Sequence, residues 1–151
     1  MRILILAAGR AGKSPEGALA ADYLERLRGL GRKIGLGAVE LIEVDEKKAP
    51  AGKNAFLAKA QGPLIALDER GNDMTSLDFA RFLQTELESG ESAITFVIGG
   101  PDGLREDVFK RAKRRIAFGC QTWPHLLVRA MLAEQLYRAA TILLRHPYHR
   151  A

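Results

Sequence analysis

The chain has 151 residues, 47% of them hydrophobic and 27% charged, with a formal net charge of +5. That length suits one domain with one substantial core, no apolar run reaches the roughly 20 residues that cross a bilayer, and a single cysteine excludes an internal disulfide framework. The positive balance favours a polyanionic partner, nucleic acid before an acidic membrane surface. A short strand-like start without a small-residue cleavage site adds the expectation of a cytoplasmic protein.

Arg2–Ala8 is a continuous apolar run closed by Gly9. It reads as a strand buried on both faces, as parallel sheets require. Ser14 and Pro15 then start a helix as cap and first residue. Leu19, Tyr23, Leu24 and Leu27 recur at helical spacing up to Gly29 and Gly31. Val39–Val44 is a second strand. Residues 45–62 are polar and small, with Pro50 and Gly52, and predict a loop with a short helix near 54–60. Residues 64–67 form a third buried strand that ends at Asp68-Glu69. Thr75-Ser76 cap a helix to about Leu87, with Leu77, Phe79, Phe82, Leu83 and Leu87 as its apolar face. A fourth strand over 94–98, a helix over 105–114, a short fifth strand from 116 and a long helix from His125 to about Leu144 complete the chain. Strands alternate with helices, so the class is α/β with a mainly parallel sheet flanked by helices. No repeat, low-complexity tract or linker divides it, and residues 1–151 are expected to form a single domain.

Two stretches resemble phosphate or ligand loops. Ala7-Ala8-Gly9-Arg10-Ala11-Gly12-Lys13-Ser14 matches a relaxed phosphate-loop pattern, and Asp68 could hold magnesium. The pattern needs backbone N–H groups around the phosphates at the helix start. Pro15 removes one of them, and alanine stands at the first glycine position, so an ordinary strand-to-helix loop is favoured. Ile98-Gly99-Gly100-Pro101-Asp102-Gly103 is more specific. Two glycines after a buried strand admit a ligand close to the backbone, where α/β sheets bind ligands; a tight turn alone is the other reading.

The charged and polar groups gather toward the C-terminus. Lys110, Arg111, Lys113, Arg114 and Arg115 form a basic run on the expected helix, either a solvated face or a contact for a phosphate backbone. Gly119-Cys120-Gln121-Thr122-Trp123-Pro124 leads into the last helix and offers the small and polar groups an adenine slot requires. Cys120 reads as a filler, because no partner for a nucleophile is evident. The last helix is apolar on more than one face, which suggests burial against its own sheet and a second copy of the chain. Arg129 and Glu134 interrupt it and require partners. The tail His146-Pro147-Tyr148-His149-Arg150 carries proton-transfer groups and a clamp for phosphate or base. No cysteine or carboxylate joins its histidines at metal-ligand spacing, so no metal is expected.

Phe96-Val97-Ile98-Gly99-Gly100-Pro101-Asp102-Gly103-Leu104, Pro124-His125, Leu127-Val128-Arg129, Ala133-Glu134-Gln135-Leu136-Tyr137-Arg138-Ala139 and the closing His146-Pro147-Tyr148-His149-Arg150 together resemble the ribosomal RNA large subunit methyltransferase H family of the SPOUT class. The resemblance covers nearly the whole chain and is strongest over residues 96–150. It implies a SPOUT-type fold with a C-terminal trefoil knot, a homodimer, and S-adenosyl-L-methionine bound in the knot. It also implies methylation at N3 of a pseudouridine in a stem-loop of the large-subunit (23S) rRNA, within the ribosome. By motif position the cofactor would touch Leu67, Gly99, Gly100, Gly119, Cys120, Gln121, Thr122, Trp123 and Pro124. The tail of one subunit would complete the site of the other. Catalytic roles fall to His149, Tyr148 and Arg150, which would position the base, supported by Arg129 and Glu134. The chain departs from the family in a shorter segment over 49–62 and in Trp123, where a smaller apolar residue is common. A small phosphotransferase and a non-catalytic RNA-binding module are the competing classes.

Overall fold

A computed structural model describes residues 1–150; Ala151, the last residue of the expected domain, lies outside them. Five strands, β1 (Arg2–Ala8), β2 (Val39–Val44), β3 (Leu64–Asp73), β4 (Ala93–Ile98) and β5 (Arg114–Ala117), form one sheet in the order β2-β1-β4-β3-β5. Every neighbouring pair is parallel. The helices are α1 (Pro15–Gly31), α2 (Ala55–Lys59), α3 (Ser76–Glu88), α4 (Glu106–Arg111) and α5 (His125–Leu143).

The sheet is apolar on both faces because both are covered. On one face Ile3, Ile5, Ala7, Ile65, Phe96 and Ile98 meet Leu24 and Leu27 of α1, Phe79 and Leu83 of α3, and Leu132 and Leu136 of α5. On the other, Leu6, Ala8, Leu64, Ala66 and Val97 meet Phe56 of α2 and Val108 of α4. Each such side chain taken fully from water stabilises the fold by about 2 kcal/mol. The helix starts follow local chemistry. Ser14 Oγ accepts the Gly17 N–H at 3.1 Å, Thr75 Oγ1 accepts the Asp78 N–H at 3.1 Å, and the Asn54 side-chain oxygen accepts the Phe56 N–H at 2.9 Å. The short helix expected near 54–60 is α2.

α1 ends at Gly31, within the bounds expected. Three expectations about the elements need correction. β3 does not end at Asp68-Glu69 but continues to Asp73, with its register against β5 shifting between Leu67 and Asn72. A Cβ on Gly71 would stand 2.8 Å from the backbone of Arg115 and Ile116, so only glycine allows this approach. α4 ends at Arg111, and Arg114 and Arg115 belong to β5. The basic run therefore lies on a helix end, a bend and a strand, not on one helical face. Because β5 joins the edge outside β3, the chain leaving β4 must cross β3 to reach it, an order that fits a threaded C-terminal segment.

α5 sits between α1 and α3 and above the sheet. Ala130, Ala133, Ala139 and Ala140 are buried and let these helices approach closely. Much of the apolar surface the sequence assigns to a second copy is thus covered by the chain's own helices. Leu126, Leu127 and Met131 remain half-buried.

Candidate active site

β3, β4 and β5 end side by side, and a cleft of about 620 Å3 opens beyond them. Its floor is apolar, built from Leu67, Ile98, Leu104, Ile116 and Val128. Gly99 and Gly100 lead the chain off β4, and the Gly103 N–H closes the turn onto the Gly100 carbonyl at 2.9 Å. A Cβ on Gly99 would lie 2.7 Å from the Gly103 carbonyl carbon, so any side chain would force the turn open. Gly103 holds φ at +74° and Gly119 at +85°, the left-handed region that glycine enters without strain.

The facing wall is the loop from β5 to α5, pinned to the extension of β3. The Gly119 N–H donates to Asp73 at 3.0 Å, the Thr122 hydroxyl to Glu69, and the Trp123 indole N–H to the Phe118 carbonyl at 2.8 Å. Arg115 stacks 3.8 Å from the Phe109 ring centre and lies 3.8 Å from Asp68. Leu67, Gly99, Gly100, Gly119, Gln121, Thr122, Trp123 and Pro124 all line the cleft, whereas Cys120 is exposed and outside the lining. Asp68, Glu69, Arg70, Phe118, His125 and Val128 also line it. The sequence reading missed the first three because a polar strand end looks like a loop.

The tail is folded, not frayed. The chain reverses after α5 at Arg145, whose φ is +53°, and the His146 N–H returns to the Thr141 carbonyl at 2.8 Å in the manner of a helix C-cap. Tyr148 packs edge-on against Tyr137, ring centres 4.8 Å apart, and its hydroxyl donates to Glu134 at 3.0 Å. Burial, then hydrogen bonds to Tyr23 and Glu134, push the phenol well above its ordinary pKa of 10.0. Arg138 donates through Nε to Glu134 at 2.9 Å, which holds its guanidinium more firmly protonated, and lies 4.8 Å over the Tyr148 ring. Its Nη1 is 3.3 Å from His149 Nδ1. An arginine only donates, so Nδ1 accepts and the His149 proton sits on Nε2, which is buried without a partner. Arg150 is exposed. This cluster lies along α5 from the cleft: ten residues from Val128, which lines the cleft, to Arg138 correspond to about 15 Å. Within one chain, His149, Tyr148, Arg150 and Glu134 do not line the cleft.

Arg129 does something else. Its buried guanidinium donates to Glu43 at 2.8 Å, to the Ala8 carbonyl at 2.6 Å and to the Gly9 carbonyl at 3.0 Å, tying α5 to the ends of β1 and β2. Glu43 also accepts the Ala11 N–H at 2.6 Å. The Arg129 bond, then the Ala11 bond, hold the Glu43 carboxyl below its ordinary 4.5. Ser14 is occupied as a helix cap, and a carboxylate takes an amide of the loop that a phosphate would need. The phosphate-loop reading finds no cradle here.

A second cleft of about 900 Å3 opens beyond β1 and β2, lined by Arg10, Lys47, Lys48, Lys53 and Lys59 among others, and shares Gly100, Pro101 and His125 with the first. Of the basic run, Lys113 pairs with buried Glu86 at 2.6 Å and Arg114 lies 5.2 Å over the Phe82 ring centre. Lys110 and Arg111 stay exposed. No group of three or more His, Cys, Asp or Glu side chains that could hold a metal, and no helix long and apolar enough to cross a membrane, occurs among the described residues.

A family model described as "Predicted SPOUT methyltransferase" matches residues 1–149. A protein named ribosomal RNA large subunit methyltransferase H from Bradyrhizobium diazoefficiens is 47% identical over 160 residues, covering 100% of both chains. The protein of that name from Ruegeria pomeroyi is 46% identical over 155 residues, covering 99% of each. Among solved structures, a probable methylase family protein from Haemophilus influenzae superposes with a TM-score of 0.55 at 12% identity, over 99% of this chain and 70% of that one. A probable methyltransferase from Bordetella pertussis gives 0.53 at 13% identity, over 92% and 93%. These two are alike in fold.

Proposed function

The chain belongs to the SPOUT methyltransferase family, and from that premise we propose that it methylates N3 of a pseudouridine in a stem-loop of large-subunit rRNA on the assembled ribosome, with S-adenosylmethionine as donor. The observation that carries this reading is the cleft at the ends of β3, β4 and β5, walled by one glycine turn and one pinned loop. Its residues fit the cofactor. Leu67, Ile98, Ile116 and Val128 give an adenine ring an apolar slot, strand-end backbone groups and Asp68 and Glu69 offer polar partners, and Gly99 keeps the wall free of side chains. Bound there, S-adenosylmethionine would supply an electrophilic methyl group for N3 and depart as the neutral thioether, with the N3 proton passing to solvent.

The chain's own part is then alignment and charge placement. Pinning the 119–124 loop to β3 fixes one wall before any ligand arrives. The tail acts on the partner's cleft in a homodimer, with the half-buried Leu126, Leu127 and Met131 available to such an interface. There His149 and the exposed Arg150 are the groups that would position the target base. Tyr148 holds the tail in place and stays protonated at neutral pH, so it is a donor and not a base. Glu134 supports it through Arg138, and Arg129 supports the floor between the clefts. Lys110 and Arg111, with Lys113, Arg114 and Arg115 behind them, are candidate backbone contacts.

Calorimetric titration with S-adenosylmethionine, and in parallel with ATP and magnesium, tests the donor. Saturable binding of the first alone is expected; binding of ATP alone would overturn the reading. Transfer of labelled methyl groups to ribosomes tests the acceptor. His149→Ala should lower that transfer at least tenfold and leave cofactor affinity unchanged, and full transfer would remove the tail from the site.

A further inference from the structure

We propose that the second cleft, lined by Arg10, Lys47, Lys48, Lys53 and Lys59, is the docking groove for the substrate's RNA backbone, and that the RNA reaches the methyl donor across the Gly100-Pro101 turn. The proposal rests on the methyltransferase reading and adds where the polyanion lies. Topology places the two clefts. β4 lies between β1 and β3 in the sheet, and parallel strands end on the same edge, so the turn after β4 divides one opening from the other. Gly100, Pro101 and His125 line both.

The charges of the second cleft are of the right sign and are unspent. None of its five cations forms an ion pair among the described residues, and Arg10, Lys47, Lys48, Lys53 and Lys59 are all exposed. Three carboxylates share the lining, Glu43, Asp45 and Glu46; Glu43 is paired with Arg129 at 2.8 Å, and Asp45 accepts the Lys47 N–H at 3.0 Å, while Asp45 and Glu46 both stay exposed, so five cations stand against three carboxylates. Of the basic run further along the chain, Lys110 and Arg111 are exposed as well, but its other members are engaged. Lys113 serves Glu86 and Arg115 leans on Asp68 and Phe109. A phosphate backbone gains most from cations that give up no internal partner and whose counterions are free to leave. A groove of about 900 Å3 is also larger than the cofactor cleft.

The groove itself is built to hold its shape. Buried Asn54 caps α2 and donates to Asp107 of α4 at 3.0 Å, and Arg129 fixes the ends of β1 and β2 from below. The lysines stand on this frame without holding it together, so they can be reversed without unfolding it.

The test compares Lys47→Glu/Lys53→Glu with Arg32→Glu/Lys33→Glu, which makes the same charge change at the far edge of the molecule, at the N-terminal ends of β1 and β2 beside the short turn Arg32–Ile34. Methyl transfer to purified ribosomes is measured against ribosome concentration and salt, with calorimetric affinity for S-adenosylmethionine and a thermal melt for each variant. The expected result for the groove pair is a KM raised on the order of tenfold at moderate salt, with kcat and cofactor affinity kept. The slope of log affinity on log salt should become shallower by about 1.4 for two contacts to single-stranded RNA. The far-edge pair should behave as the wild type. An unchanged KM and salt slope in the groove pair, or an equal loss in the far-edge pair, overturns the groove. If the wild-type protein transfers no methyl group at all, the methyltransferase reading fails instead. Anisotropy of a labelled RNA hairpin then still decides the groove by the same two comparisons.

Discussion

Arg129 shows how one residue acts through several. A buried guanidinium is tolerated only with its charge compensated and its donors used, and Glu43 with the Ala8 and Gly9 carbonyls meets most of that requirement. Arg129→Met would leave two carbonyls without their donor. It should cost about 2–3 kcal/mol, read as a fall of roughly 5–10 °C in Tm. Glu43 makes the same link pH-dependent. Its pKa in the folded chain is below the ordinary 4.5, so its contribution is fully present above that value and fades as pH falls through the folded one. The stability difference between the wild type and Glu43→Gln should therefore be constant near neutral pH and shrink as pH falls below the ordinary 4.5, as urea unfolding at several pH values would show. Tyr148→Phe removes the bond to Glu134 and should cost about 1 kcal/mol, measured in the same way. Arg129 and Glu43 are 86 residues apart, and nothing local to either one reveals the pair. The need for a partner at Arg129 is legible in an apolar helix; the identity of that partner is not.

At the level of elements, the strands and most helix starts were legible because their signals are local. A run apolar at every position must be covered on both faces, and a serine before a proline must cap. Boundaries were less legible where a polar sequence continues an apolar element. β3 runs five residues beyond Asp68 because β5 supplies hydrogen-bond partners that propensity does not see. Arg114 and Arg115 join a strand for the same reason. The glycine turn after β4 was legible as a turn; its role as a wall follows from the 2.7 Å at which a Cβ on Gly99 would meet the Gly103 carbonyl carbon. Gly99→Ala must displace that backbone. It should weaken S-adenosylmethionine binding at least tenfold, while the overpacking itself costs about 1–3 kcal/mol. Calorimetry and a denaturant melt separate the two effects.

At the level of the molecule, the distance between tail and cleft has a consequence. About 15 Å of helix separates them within one chain, so the proposed site, which uses both, requires the tail of a second chain. A chain truncated after Arg145 and a full-length Gly99→Ala chain should each transfer methyl groups poorly. Mixed under conditions that let subunits exchange, they should recover a substantial fraction of wild-type transfer, because one of the two clefts is then intact and faces an intact tail. Absence of recovery, with mixed dimers shown by mass spectrometry, would place the tail's action within its own chain.

The sequence by itself determined the α/β class, the buried strands, the caps and the glycine turn. Those features are written in periodicity and in residue chemistry over a few positions. The tertiary structure alone decided which charges are spent and which are free. It gave Lys113 to Glu86 and Arg115 to Asp68, left Lys47, Lys48 and Lys53 unpaired in a stretch that reads as a plain polar loop, and covered α5 with α1 and α3. Burial is encoded locally, since an apolar residue must be covered by something. What covers it, and which cation meets which carboxylate, depends on long loops closing and on strands taking their order in the sheet.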